Sequence, residues 1–420
     1  MDKRLRGGLM AALTTAAALP GLAGATDGYF PHGYGLKGKG MGGTSIALAQ
    51  DAMGGANNPA AMAFAGDRFD IGLDWFSPHR SAERDGAPVP SLNGRVDSDS
   101  TNFLVPELGF NKMLNPDLAL GVTVYGNGGM NTDYPQGNFN CGAGAANILC
   151  GSGRLGVDLM QLVVAPTAAY KLAPEHSIGI APLFGYQRFK IEGLQAFDGP
   201  ASSSPGNVTN RGYDSSTGFG VRIGYQGQTG PFSFGAAYAS RMHMSEFKKY
   251  SGLFAENGDF DIPSHYGVGV AWRSAALVTL AFDYMRINYS EVASVGNPST
   301  NISQAPLGAS NGPGFGWKDI NVYKFGVAWQ ATPALVMRAG YNHSDNPITP
   351  RDVTFNILAP GVIQNHYTLG MTYSWNPGSE LTFAYMHAQT NSVTGPSLIA
   401  GTETIRMFEN SFGMAYGLRF

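Results

Sequence analysis

The sequence predicts an all-β protein, a transmembrane antiparallel β-barrel of about 14 strands, and three observations carry that prediction. From Asp67 onward, segments of 9 to 14 residues alternate large apolar residues with small or polar ones, a period of 2 that gives each strand one apolar face. The connections between these segments are alternately short and long. The chain also ends in Phe412, Met414, Tyr416, Leu418 and Phe420, an alternating strand whose last residue is aromatic.

Composition removes the competing classes. The 420 residues include 58 Gly but only 14% charged residues, against about 25% in an ordinary soluble domain. A formal net charge of −3 offers no basic footprint for nucleic acid. A mean hydropathy of −0.10 and the lack of any apolar stretch of 18 in the body argue against a helical bundle. At 43% hydrophobic, the chain is too apolar to be disordered.

Taken in order, residues 1–25 read as a signal peptide. Lys3, Arg4 and Arg6 precede an apolar run from Leu9 to Leu19, and Ala23-Gly24-Ala25 has the A-x-A form of a cleavage site, so the mature chain is expected to begin at Thr26 and to be exported. Residues 26–66 follow no strand pattern and are dominated by Gly, Ala and Asn. Residues 67–420 carry the barrel. Its alternation is plain in Phe69, Ile71, Leu73 and Trp75, in Leu118, Leu120, Val122 and Val124, and in Tyr323, Phe325, Val327 and Trp329.

Short turns are expected at Asn115-Pro116-Asp117, Pro174-Glu175-His176, Thr229-Gly230-Pro231, Ser274-Ala275, Thr332-Pro333 and Asn376-Pro377-Gly378. Longer loops are expected at 77–100, 129–156, 192–213, 247–263, 293–316, 344–363 and 391–407. An even strand number, with short turns on one side and long loops on the other, is what bacterial outer-membrane barrels require. Closure also satisfies every backbone hydrogen bond in lipid. All five tryptophans, Trp75, Trp272, Trp317, Trp329 and Trp375, fall at predicted strand ends, where aromatic girdles meet headgroups. Cys141 and Cys150 lie in one Gly/Asn-rich loop and can pair in an oxidising compartment.

The segment before the barrel resembles the FadL family of outer-membrane transporters for hydrophobic compounds. The resemblance rests on the Gly-rich stretch Tyr34 to Gly43, on Ala47 to Asp51, and above all on Asn58-Pro59-Ala60, which matches the family's Asn-Pro-Ala signature. It implies that residues 26–66 form a hatch plugging a fourteen-stranded barrel. It implies passive uptake of long-chain fatty acids or other hydrophobic compounds, with lateral release through a wall opening at an inward kink of the third strand. In that strand, Leu118 to Asn127, Gly121 is the bend point on offer in the periplasmic half. An aromatic or aliphatic hydrocarbon channel of the same family is the alternative. The last strand, ending at Phe420, resembles the signal by which barrel-assembly machinery recognises its clients. The expected surroundings are outer-membrane lipid and lipopolysaccharide.

Other chemistry is weakly written. Gly33-Tyr34-Gly35-Leu36-Lys37-Gly38 satisfies G-x-G-x-x-G, but no strand precedes it, and Gly40 stands where a P-loop needs Ser or Thr. Gly308-Ala309-Ser310-Asn311-Gly312 matches a nucleophile elbow, yet Pro306 and Pro313 place it in a loop. The eight histidines have no metal spacing, and no metal or cofactor is expected. An outer-membrane lipase would need a partner for His343 or His366, and none is apparent, so the chain is not expected to be an enzyme.

Parity picks out the inward groups. If Phe325, Val327 and Trp329 face lipid, Lys324 faces the lumen; Leu335, Met337 and Tyr341 do the same for Arg338. A register opposing Trp329 to Leu335 would make Arg338 the diagonal neighbour of Lys324, with both in reach of one anion. Arg222 also points inward. So do Val105, Tyr125, Leu159, Val163, Leu183, Met285 and Ile287, whose apolar character suits a greasy substrate rather than a porin's polar lumen.

Overall fold

The structure, a computed structural model, describes residues 26–420 apart from Ala143, Ala275 and Ala276. The expected signal peptide therefore lies outside the described residues. Fourteen strands form one ring: Arg68–Asp85 (β1), Phe103–Met113 (β2), Leu118–Tyr134 (β3), Leu155–Ala173 (β4), His176–Glu192 (β5), Asp214–Thr229 (β6), Phe232–Ala239 (β7), His265–Arg273 (β8), Val278–Ile287 (β9), Ile320–Thr332 (β10), Leu335–Ser344 (β11), Asn365–Asn376 (β12), Ser379–Pro396 (β13) and Thr402–Arg419 (β14). Every strand pairs antiparallel with its neighbours in sequence, and β14 pairs with β1 to close the ring. The six short turns join the strand pairs expected of them. Large apolar side chains such as Ile71, Leu73, Ile180, Phe184, Val268 and Phe325 are exposed on the outer face, where lipid covers them.

Several strands run farther than their alternation indicates. β1 continues to Asp85, β3 to Tyr134 and β13 to Pro396, into stretches expected to be loops. A membrane crossing needs about 9–11 residues, whereas β1 has 18 and β4 has 19. Beyond the lipid the outer face meets water, so the ladder continues without an apolar outward face to mark it.

Residues 26–66 lie inside the ring and are almost entirely buried. They are tied to strands on several sides of the lumen. Lys37 meets Glu380 of β13 at 2.5 Å, and Lys39 meets Asp74 of β1 at 2.8 Å. Glu107 of β2 accepts from the backbone N–H groups of Gly35 and Leu36 at 3.2 and 3.0 Å. Asp283 of β9 accepts from those of Ser45 and Ile46 at 2.7 and 3.0 Å. Arg68 completes the charge cluster by pairing with Asp70 at 2.7 Å and with Glu380. The segment fits because the wall beside it is glycine. A Cβ on Gly340 would fall 2.0 Å from the Gly42 nitrogen, and one on Gly179 would fall 2.4 Å from the Ala60 nitrogen.

Asn58-Pro59-Ala60 starts a single 3-10 turn in this interior. Asn58 caps it by accepting from Ala60 N–H, and its amide donates to the carbonyls of Ile46 and of Tyr225 in β6 at 2.8 and 2.9 Å. The motif therefore fastens the segment to itself and to the wall at one point.

On the long-loop side the loops fold over the lumen around Phe189, Phe247, Tyr250, Phe254 and Phe260, all buried. Trp317 belongs to this interior and not to the headgroup girdle. It is 1% exposed, lies 5.1 and 5.7 Å from the rings of Tyr289 and Tyr29, and donates through its indole N–H to Asn356 at 2.6 Å. Its loop turns inward, which alternation in the neighbouring strand does not report. Cys141 and Cys150 are joined by a disulfide, with Cα atoms 5.7 Å apart.

Candidate functional site

Two small cavities, each of about 30 Å³, lie in the lumen on either side of Tyr34. The first brings Arg222 of β6, His265 of β8, Met285 of β9 and Lys324 of β10 against Phe30 and Ile46 of the lumen segment. Period 2 explains the gathering, since each of these wall residues sits between outward-facing neighbours such as Ile223, Tyr266 and Phe325.

Both cations are buried, Lys324 to 4% exposure and Arg222 to 2%. Lys324 stands directly across the ladder from Asp283, but that carboxylate is occupied by the Ser45 and Ile46 N–H groups. Arg222 donates to the Ala56 carbonyl and to the Tyr125 hydroxyl, the latter at 3.0 Å, and lies 3.3 Å from His265 Nε2. A guanidinium can only donate there, so His265 Nε2 is the acceptor. Among the described residues neither Lys324 nor Arg222 forms an ion pair; contrast Lys37, Lys39 and Arg68, each of which is paired with a carboxylate. A chamber with two buried cations, no carboxylate bound to either, and otherwise largely apolar walls is chemically suited to an anionic group on a hydrophobic body.

The second cavity is bordered by Val105, Pro106, Tyr125, Gly126 and Gly128, together with Tyr34. It lies beside an incomplete seam in the wall. The β2–β3 ladder stops at Glu107 opposite Tyr125. From Phe103 to Pro106, β2 pairs only with β1, and beyond Tyr125, β3 pairs only with β4. The β3–β4 register shifts between Gly126 and Gly128, leaving Asn127 bulged, and Gly129 N–H turns to the Tyr29 carbonyl at 3.3 Å. Pro106, without an N–H, sits at the edge of this gap, the kind of edge position proline tolerates. The seam is closed again higher up, where Asp99 N–H donates to the Asp133 carbonyl at 2.9 Å.

The bend in β3 is thus at Gly126 to Gly129 and not at Gly121. Gly121 stays in regular register with Asn111 and Thr167, and its missing side chain makes room for Met62. A bulge needs an extra residue in the strand as well as flexible backbone, and the run Gly-Asn-Gly-Gly supplies both.

Tyr34 separates the two cavities and lines each of them. Its ring packs on Tyr125 with centroids 4.3 Å apart, and its hydroxyl donates to Asn127 Oδ1 at 2.9 Å. The partition is therefore bonded to the bulged residue of the bend itself.

Of the residues singled out by parity, Lys324, Arg222 and Met285 meet at the first cavity, and Tyr125 and Val105 at the second. Leu159, Val163, Leu183 and Ile287 do face inward, but they belong to the buried apolar core. Arg338 does not join Lys324. The β10–β11 hairpin turns through Pro333 and Ala334 with a register irregularity between Gln330 and Thr332, so Trp329 faces Met337, Lys324 faces Asn342 and Arg338 faces Ala328. Four residues along the ladder are about 13 Å, and Arg338 instead donates to Thr372 Oγ1 at 2.7 Å. His265 and Tyr34 were missed, although the outward parity of Tyr266 and Val268 was enough to turn His265 inward. His343 Nδ1 lies 2.9 Å from Asn365 Oδ1, an amide that supplies no nucleophile.

A family model described as "Outer membrane protein transport protein (OMPP1/FadL/TodX)" matches residues 33–417. The comparison with curated protein sequences gives no match. Among solved structures, the toluene transporter TodX of Pseudomonas putida is similar at 18% identity and a TM-score of 0.71, over 94% of this chain and 100% of that one. A Pseudomonas aeruginosa FadL homologue is similar at 14% identity and a TM-score of 0.68, over 94% and 100% of the two chains. The toluene transporter TbuX of Ralstonia pickettii is similar at 17% identity and a TM-score of 0.66, over 93% and 99%. At these identities the likeness is one of fold.

Proposed function

The chain belongs to the outer-membrane transport family OMPP1/FadL/TodX, and from that membership we propose passive uptake of hydrophobic compounds bearing an acidic head group, long-chain fatty acids foremost, through an outer-membrane barrel. The observation that carries the choice of substrate is the chamber at Lys324 and Arg222, where neither buried cation forms an ion pair among the described residues and Phe30, Ile46 and Met285 supply apolar contact.

In this reading the ligand first meets the apolar hollow among the outer loops, lined by Phe189, Leu253, Phe254, Leu307, Phe315 and Leu358. It then settles with its head group at Lys324. Residues 26–66 act as a hatch, fastened by Asn58-Pro59-Ala60, that bars the straight aqueous route. Displacement of Tyr34 opens the way to the gap between β2 and β3, and the ligand leaves sideways into lipid. No bond is made or broken, and the reading assigns the chain no catalysis. It also places lipopolysaccharide and phospholipid around the outer face, signal-peptide removal after Ala25, and recognition of the strand ending at Phe420 by the assembly machinery.

The test is ligand binding to the purified barrel in detergent. A charge-assisted contact contributes roughly 1.5–3 kcal/mol, so Lys324→Ala should weaken fatty-acid binding about ten- to a hundredfold. A neutral hydrocarbon of similar size, held by apolar burial, should be nearly unaffected. Equal losses for both ligands would mean that Lys324 only shapes the wall. The second reading, a hydrocarbon channel, is favoured by the apolar outer hollow, and it would be supported by hydrocarbon binding with no measurable fatty-acid binding.

A further inference from the structure

On the inner face of the wall one row of residues runs from strand to strand as directly opposed partners: Asp283, Lys324, Asn342, His366, Ala388 and Glu409, from β9 to β14. The last of these is anomalous. Glu409 is fully buried, and among the described residues neither of its carboxylate oxygens has a hydrogen-bond partner. An isolated buried carboxylate is one of the more destabilising arrangements a fold can contain. Arg80, the cation whose charge reaches Glu409, donates through its terminal nitrogens to the carbonyls of Pro78 and Asn131, each at 2.6 Å, and forms no ion pair with Glu409 among the described residues.

Thr26 reaches the same stretch of wall. It borders the cavity it shares with Met386 and Ser411, the inward pair next along β13 and β14 from Ala388 and Glu409. The His366 ring, opposite Ala388, faces the Thr26 backbone. Hydrolysis of the Ala25–Thr26 peptide bond during export leaves a primary amine on Thr26, protonated below pH about 7.7–8.0. That ammonium has three N–H groups; in the uncleaved chain Thr26 is buried, and its nitrogen has one acceptor in place, the Phe30 carbonyl at 2.9 Å.

We propose that Glu409 is the counter-ion of the α-ammonium that signal-peptide removal creates on Thr26. The pair joins a new positive charge to a carboxylate that has no hydrogen-bond partner among the described residues, and it fastens the first residues of the lumen segment to β14 only once the chain has been processed. The other charged or titratable groups facing the site are Asp27, His366 and Arg80, with His32, Tyr34, Lys39, Asp74 and Glu107 around the cavity that Thr26 borders and Lys324 farther along the row. The assignment stands apart from any choice of transported substrate.

The test uses the mature protein in detergent. Intact mass should show a chain beginning at Thr26. Amine-reactive ester near neutral pH should acylate the Thr26 α-amine at least about tenfold more slowly than in Glu409→Gln, because an ion pair that raises the amine pKa by one unit changes its protonation equilibrium tenfold. A variant with one alanine inserted before Thr26 moves the charge by a residue. It should melt lower than the parent, yet lower it little further in the Glu409→Gln background. If Glu409→Gln does not fold, the insertion variant in the parent background carries the acylation measurement, and the same acceleration is expected. A mature chain beginning elsewhere, equal acylation rates, or strictly additive losses of stability would overturn the assignment.

Discussion

Two seams of the same wall are built in opposite ways. The seam between β1 and β14 is paired without interruption from Arg68 opposite Arg419 to Asp85 opposite Thr402. The seam between β2 and β3 is paired only from Glu107 opposite Tyr125 to Met113 opposite Ala119. Beyond that point β3 bulges at Asn127 and bonds through Gly129 to Tyr29 of the lumen segment. Both seams lie in a ring whose stability in lipid depends on satisfied backbone groups. The difference shows that where β3 leaves its ladder with β2, the interior supplies a replacement partner.

The largest test of that comparison removes that partner. Deleting residues 26–66 should turn a nearly non-conducting barrel into an open pore in planar bilayers; unchanged conductance would mean that the segment does not limit passage. The next largest seals the weak seam. A Cβ on Gly126 would lie 3.0 Å from Val105 Cγ1, so side chains at these two positions meet across the gap. Val105→Cys with Gly126→Cys should abolish uptake until reductant is added, while Ser81→Cys with Arg406→Cys, a pair on the sealed seam, should leave uptake intact.

A smaller effect is expected from Gly128→Val, whose Cβ would meet the Tyr29 carbonyl oxygen at 2.1 Å. Overpacking of that kind costs about 1–3 kcal/mol, which thermal unfolding should register as a lowered Tm, together with altered uptake. The smallest is Tyr34→Phe, which removes only the hydroxyl bonded to Asn127. A net hydrogen bond is worth about 0.5–1.5 kcal/mol, so release into vesicle lipid should quicken roughly two- to tenfold with binding at Lys324 unchanged. No change in release would mean that the ring alone holds the partition.

The architecture was legible because lipid imposes it on the sequence. Outer faces must be apolar at every second residue, and two-residue turns need Pro, Asn or Gly, so strand number and turn positions are written in local composition. Register is not. Whether Arg338 meets Lys324 depends on an irregularity between Gln330 and Thr332 in an otherwise ordinary hairpin, and nothing in the composition there marks it. The bend of β3 hid in plain view: Gly126 falls at the end of the expected strand, Leu118 to Asn127, and Gly129 opens the expected loop 129–156 because polar residues follow, although the strand runs on to Tyr134. Trp317 was misplaced for a related reason, since a loop that folds back into the lumen offers a buried seat to a residue whose neighbours look peripheral. Lys324, Arg222 and Met285 were found because parity reports which way a side chain points; their common cavity was not, because it also depends on a segment with no periodicity.

The charge cluster at the base of the lumen couples events that could have been separate. Arg68 and Asp70 belong to β1, Glu380 to β13 and Arg419 to β14, and Lys37 of the interior segment reaches the same Glu380. A ring closed around an empty lumen would leave that carboxylate without one of its cations, and would leave Glu107 and Asp283 without the N–H groups that satisfy them. A filled half-ring would lack the strand that completes the wall beside the cluster. Joining the first strand to the last and seating residues 26–66 are therefore one cooperative transition, with little room for a stable intermediate between the open sheet and the finished, occupied cylinder.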